Sequence, residues 1–168
     1  MLRLMIRGVT FFITSTAFAG FAFTTTAWAQ SDAQKIKSIL AGDTAPFGVV
    51  FEIVESKADD LNWAIPKIKN YVEQLRQRFP DIGLAVVSHG KEEFGLMTDK
   101  QKKYAQVHKT VKSLVEDDKV PVHVCGTHAS WYNVKPDAFP DYVDVTPAGP
   151  TEIANYEDMG YILVVIDK

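Results

Sequence analysis

From Gly48 onward the chain alternates short apolar runs with amphipathic stretches. Val49, Val50, Phe51, Ile53 and Val54 form a near-continuous apolar run, the mark of a strand covered on both faces. Asp59-Asp60 then supplies helix-capping chemistry, and Ile65, Ile68, Val72, Leu75 and Phe79 recur at helical spacing up to Phe79-Pro80. Proline is tolerated in a first turn or at a kink, so Pro66 marks a place where the regular helix can begin. Ile82 to Val87 reads as a second strand and ends at Ser88-His89-Gly90. After an irregular stretch containing Phe94, Leu96 and Met97, the spacing of Tyr104, Val107, Val111, Leu114 and Val115 predicts a second amphipathic helix. Val120 to Val124 is a third strand that delivers Cys125, and Thr127 after Gly126 is the expected cap of a short helix. A fourth short strand over Tyr142 to Val145, a turn over 146–150, a helix over Thr151 to Met159 and a strand over Tyr161 to Ile166 complete the pattern.

Five strands separated by helices of this length imply a parallel sheet with helices on both faces, an α/β fold. Residues 30–46 are polar with a weak apolar repeat (Ile36, Ile39, Leu40) and read as a short helix or an ordered N-terminal arm preceding the α/β domain of 47–168. Residues 1–29 read differently. Arg3 and Arg7 make a positive start, Gly8 to Phe23 carries no charge, and Ala27-Trp28-Ala29 is a small-x-small site, so this is a secretory signal with cleavage expected after Ala29. The expected location is the bacterial periplasm; an uncleaved N-terminal anchor is the alternative, and the only contact with a membrane that the sequence suggests.

Charge narrows the partners. The full chain carries a formal −3, and loss of the leader removes two arginines and no acid. A mildly acidic surface without a basic run argues against nucleic acid, and the Lys-Gln-Lys-Lys stretch at 100–103 is too short to be more than a solvated helix face. The absence of G-x-x-x-x-G-K-[ST], of G-x-G-x-x-G after a strand, and of a nucleophile elbow removes the commonest α/β enzyme readings.

One cysteine in an exported chain cannot pair internally, leaving a buried inert thiol, an intermolecular disulfide or a free thiol with chemistry. In open parallel sheets reacting groups sit beyond the carboxyl ends of the strands, and Cys125 and His89 both fall there. A helix opening after Cys125 would place free N–H groups near the sulfur and favour a nucleophilic thiolate, with Thr127 in support. His89 is a candidate proton acceptor for Cys125. His123, Cys125 and His128 form H-x-C-x-x-H, a set able to offer copper or zinc two imidazoles and a thiolate; the competing reading is one buried hydrogen-bonded histidine and one facing solvent. His108 is expected to be solvated on a helix surface. Phe94, Leu96 and Met97 are either a flap over the thiol or ordinary packing. Trp131, Tyr132, Phe139 and Tyr142 belong either to the core or to a subunit interface.

The strand-end "VVSHG", the segment "VHVCGTHASWY" and the C-terminal "DVTPAGPTEIANYEDMGYILVVI" together resemble the DsrE/DsrF-like family of small sulfur-relay proteins, over roughly Phe47 to Ile166. The resemblance implies a three-layer α/β/α sandwich with a five-stranded parallel sheet, assembly into homo-trimers or hexamers, and a cysteine that carries sulfur as a persulfide between donor and acceptor proteins. Cys125 matches that cysteine by position. The well-understood relays are cytoplasmic, so the export signal makes this chain look like an exported branch. No cofactor is expected on this reading. The alternative is an oligomeric binding module, either holding copper or zinc through Cys125, His123 and His128 or serving as a non-catalytic scaffold.

Overall fold

The computed structural model describes residues 30–168. The signal segment and its cleavage site after Ala29 lie outside the described residues. Five strands, β1 (Gly48–Ile53), β2 (Gly83–Ser88), β3 (Val122–Cys125), β4 (Asp144–Thr146) and β5 (Tyr161–Val165), pair in parallel in the order β4-β3-β2-β1-β5. They alternate with helices α1 (Asp32–Leu40), α2 (Leu61–Arg78), α3 (Ala105–Glu116), α4 (Gly126–Trp131) and α5 (Gly149–Asp158). This is the α/β fold expected from the alternating pattern.

Handedness decides which helix covers which face. Stepping from β1 through β2 to β3 in one direction with right-handed crossovers puts α2 and α3 on one side, and the long return from β4 to β5 puts α5 on the other. The core divides accordingly. Val49, Phe51, Ile53, Leu84, Val86, Val122 and Val124 meet the buried stripes of α2 and α3, including Ile65, Ile68, Val72, Leu75, Val111 and Leu114. The alternate positions Val50, Ala85 and Val87 meet Ile153 and Tyr156 of α5 in a much smaller cluster. α1 packs with the larger core through Ile36 and Ile39, anchored by buried Asp32, which accepts from Tyr71 Oη (3.2 Å) and the Asp167 N–H (3.3 Å) and pairs with Lys67.

Several local expectations are corrected. β1 stops at Ile53, and Val54 turns out half exposed. α2 begins at Leu61, after a 3-10 turn over Ala58–Asp60, so Pro66 lies inside the helix rather than starting it. Burial of Leu61, Ala64 and Ile65 on the sheet holds the turn before the proline in place despite its missing N–H. The cap of α4 is Cys125, not Thr127: the Cys125 backbone is extended and its Sγ accepts the His128 N–H. α5 starts at Gly149, two residues earlier than expected, with Pro150 in the first turn, where a proline costs no hydrogen bond. Among the described residues no helix is long and apolar enough to cross a membrane.

Candidate functional site

Cys125 is the last residue of β3 and only 4% exposed. Its Sγ accepts the His128 N–H at 3.4 Å across the first turn of α4. It lies in a cleft of about 320 Å³ at the carboxyl ends of the strands, lined by the polar residues His89, Thr127 and His128 and by Trp131, Ala148 and Pro150. Three of the residues singled out from sequence, His89, Thr127 and His128, are thus brought to Cys125.

Backbone geometry makes that convergence possible. A side chain at Gly149 would lie 2.7 Å from His89 Cβ and 3.4 Å from Cys125 Cβ, so only glycine lets the start of α5 approach both residues at once. Thr127 ties α4 to the same loop, donating to the Pro147 carbonyl through both Oγ1 (2.7 Å) and its backbone N–H (3.1 Å).

Each histidine of the cleft is paired with a glutamate. His89 Nε2 lies 2.8 Å from Glu52 Oε1, and both side chains retain some contact with solvent. That hydrogen bond holds the His89 pKa above its ordinary value, against the opposing effect of burial. His128 Nδ1 lies 2.7 Å from Glu93 Oε1, but here the carboxyl is fully buried. Burial pushes Glu93 up to about 8 and pushes His128 down, and the two directions agree on a pair that is neutral at pH 7. Glu93 Oε2 also accepts the Cys125 N–H at 2.9 Å, joining the carboxyl to the backbone of the cysteine. The adjacent Glu92, equally buried, accepts from Ser88 Oγ (2.7 Å) and the N–H groups of Gly90 (3.0 Å) and Glu55 (2.6 Å). It clamps the loop after β2 to the loop after β1; burial still raises its pKa.

His123 does not join the site. Its Nδ1 lies 2.8 Å from Asp144 Oδ2 and its Nε2 lies 2.9 Å from Tyr156 Oη, a phenol that burial pushes up to about 12. With both its ring nitrogens engaged and His128 Nδ1 held by Glu93, His123, Cys125 and His128 do not fit a shared copper or zinc ion. Among the described residues no group of three or more His, Cys, Asp or Glu side chains is arranged to hold a metal. His108 is buried rather than solvated: Nδ1 meets Tyr142 Oη at 2.6 Å and Nε2 meets the Gly95 carbonyl at 3.0 Å, and burial lowers its pKa. Leu96 is core and Met97 packs against it, so neither forms a flap; Phe94 stacks on the His128 ring at 5.4 Å. The aromatic segment splits, with Phe139 buried and Trp131 72% exposed beside the cleft.

Sequence reasoning missed Glu52, Glu93 and Gly149. Glu52 had a signal: a carboxylate interrupting the apolar run Val49 to Ile53 must find a buried partner. Glu93 had less, since Lys91-Glu92-Glu93 looks like any solvated turn; only the 3-10 run over Lys91–Leu96 aims both carboxylates inward.

No family model and no curated protein sequence matches the chain. Solved structures do share its fold. Protein MTH1491 of Methanobacterium thermoautotrophicum, described as of unknown function, superposes with a TM-score of 0.57 at 18% identity, covering 71% of this chain and 98% of its own. The ychN protein of E. coli gives 0.53 at 13% identity over 71% and 99%. Protein BT1422 of Bacteroides thetaiotaomicron, a conserved protein of unknown function, gives 0.50 at 11% over 70% and 94%. At these identities the likeness is one of fold.

Proposed function

We propose that this chain is an exported DsrE-like sulfur carrier in which Cys125 holds a sulfane sulfur as a persulfide. The observation that carries this reading is the chain's one cysteine at the floor of a small, partly apolar cleft at the carboxyl ends of the strands, flanked by two histidine–glutamate pairs. The five-stranded parallel α/β sheet, in a fold shared with MTH1491 and the ychN protein, agrees with the architecture that the resemblance to the DsrE/DsrF-like family implies.

The transfer needs no cofactor. A persulfide donor RS–SH presents its outer sulfur to Cys125; the Cys125 S–S bond forms as the donor's S–S bond breaks, leaving Cys125 as Cys–S–SH and the donor as RSH. One thiol proton is given up and one is returned to the leaving sulfur, and no external oxidant or reductant is required. The apolar lining of Trp131, Ala148 and Pro150 suits a soft, weakly hydrated sulfur atom and limits the access of water. His89, biased toward its charged form by Glu52, offers a positive charge to sulfur anions formed beside it.

Cyanide provides the test, because it removes a persulfide sulfur as thiocyanate and regenerates the thiol. Protein loaded with an organic persulfide or polysulfide and freed of excess donor is expected to release one thiocyanate per chain, and Cys125→Ser none. Equal release from both proteins would remove the proposal. A homo-oligomer, trimer or hexamer, belongs to the same reading and is supported by the exposed Trp131 at the cleft edge; light scattering that finds a monomer at micromolar concentration would contradict it. Periplasmic location is tested by N-terminal sequencing of the mature protein, expected to begin at Gln30.

A further inference from the structure

The Glu93 carboxyl, with no solvent exposure, stands against both the backbone N–H of Cys125 and the ring of His128, and those are its only hydrogen-bond partners among the described residues. Because Glu93 Oε2 accepts the Cys125 N–H, any proton on the carboxyl sits on Oε1, 2.7 Å from His128 Nδ1. That proton can belong to either atom. With it on Oε1 the imidazole is neutral and has its own hydrogen on Nε2; when Nε2 gives up that hydrogen, the Oε1 proton passes to Nδ1, leaving a carboxylate and an Nε2 that accepts. Nε2 has no hydrogen-bond partner among the described residues and is not one of their buried unpaired atoms, so water reaches it. His128 shares the cleft with Cys125, and stacking on Phe94 with edge contacts from Trp131 and Tyr132 keeps its ring from turning away from Glu93.

We propose that Glu93 and His128 form one proton-exchanging pair serving Cys125, in which buried Glu93 is the positioning residue and His128 Nε2 is the atom that takes and returns the proton. The inference rests on the sulfur-carrier reading for its reaction. With the pair ionised, Nε2 takes the thiol proton as the new S–S bond forms, and the Nδ1 proton moves onto Glu93. The departing RS⁻ then takes the proton from Nε2, Glu93 returns its own to Nδ1, and the pair ends as it began. The charge resides on a carboxylate held between two N–H donors, and no free imidazolium is formed.

The surroundings agree. Burial is the dominant influence on both partners, bringing the Glu93 carboxyl to about 8 while disfavouring imidazolium at His128. Glu92 beside the pair raises both values, His89 in the same cleft lowers both, and Lys91 lowers His128. Tyr132, the other titratable group packed on the ring, meets it edge-on. Proton exchange near neutral pH is where general acid–base transfer works best.

Nitrogen NMR of ring-labelled histidine in the intact mature protein decides the matter without any variant. Between about pH 6 and pH 9, His128 is expected to change from the Nε2–H to the Nδ1–H tautomer, with a midpoint close to 8, and never to show the imidazolium signal. An imidazolium appearing in that range, or one unchanged tautomer throughout, would overturn the pair. Glu93→Gln should freeze the tautomer and slow sulfur loading of Cys125 by about 100-fold, with loss of its pH inflection. Sulfur loading without any tautomer change would sink the pair alone. A tautomer change in a protein that never takes up sulfur would sink the carrier reading and leave the pair standing.

Discussion

The two histidine–glutamate pairs of the cleft carry the same residue types in opposite states. His89 with Glu52 and His128 with Glu93 are both imidazole–carboxyl contacts shorter than 3 Å, yet the first favours the charged imidazole and the second favours a neutral pair. The difference is hydration of the carboxyl. Glu52 keeps 18% of its side chain exposed and stabilises a cation on its partner, whereas Glu93 keeps none and its ionisation is penalised by burial. An imidazole biased toward its charged form and a second one with an exchangeable proton are the two things a sulfur transfer asks of its surroundings.

The comparison can be broken most forcefully at Glu93. Glu93→Ala strands His128 Nδ1 and the Cys125 N–H in a buried space and is expected to cost about 3 kcal/mol of stability, measured by urea unfolding. A loss no larger than that of a surface substitution would mean that the pair is not assembled as described. Gly149→Ala acts on the His89 pair and on Cys125, because its methyl would collide with His89 Cβ and touch Cys125 Cβ; a loss of about 1–3 kcal/mol and a slower reaction of Cys125 with alkylating reagents are expected.

Glu93→Gln sharpens the contrast through pH. The folded state keeps the Glu93 proton up to about 8, whereas an unfolded chain releases it near the ordinary value of 4.5, so the native protein should lose stability as pH rises across that window. The amide cannot ionise, so Glu93→Gln should lie close to the native protein near the bottom of the window and exceed it in stability near the top. The smallest effect is expected at Glu52→Gln. His89, raised by Glu52, contributes stability that is present below its ordinary value of 6.5 and fades as pH rises through the folded value. Losing the partner should cost under about 1 kcal/mol at low pH and nothing once His89 is neutral in both states.

How much of this was legible in the sequence follows the range of the interactions. The strands and the amphipathic helices are local patterns, and they appear in the fold within a few residues of where the pattern places them. Cys125 and His89 were legible because strand ends are where parallel sheets gather reacting groups. His123 and His108 were harder: a histidine's partner is set by what folds against it, and here these are Asp144 with Tyr156, and Tyr142 with the Gly95 carbonyl. Glu93 lay furthest out of reach, 32 and 35 residues from the two groups it joins. Its role depends on a 3-10 run whose inward aim no periodicity encodes.

The central claim is that Cys125 carries sulfur, and the intact mass of the mature protein after incubation with polysulfide tests it most directly, with Cys125→Ser alongside. A gain of about one sulfur atom, reversed by reductant and absent from the variant, is the predicted result. An unchanged mass, or an equal gain in Cys125→Ser, would contradict it.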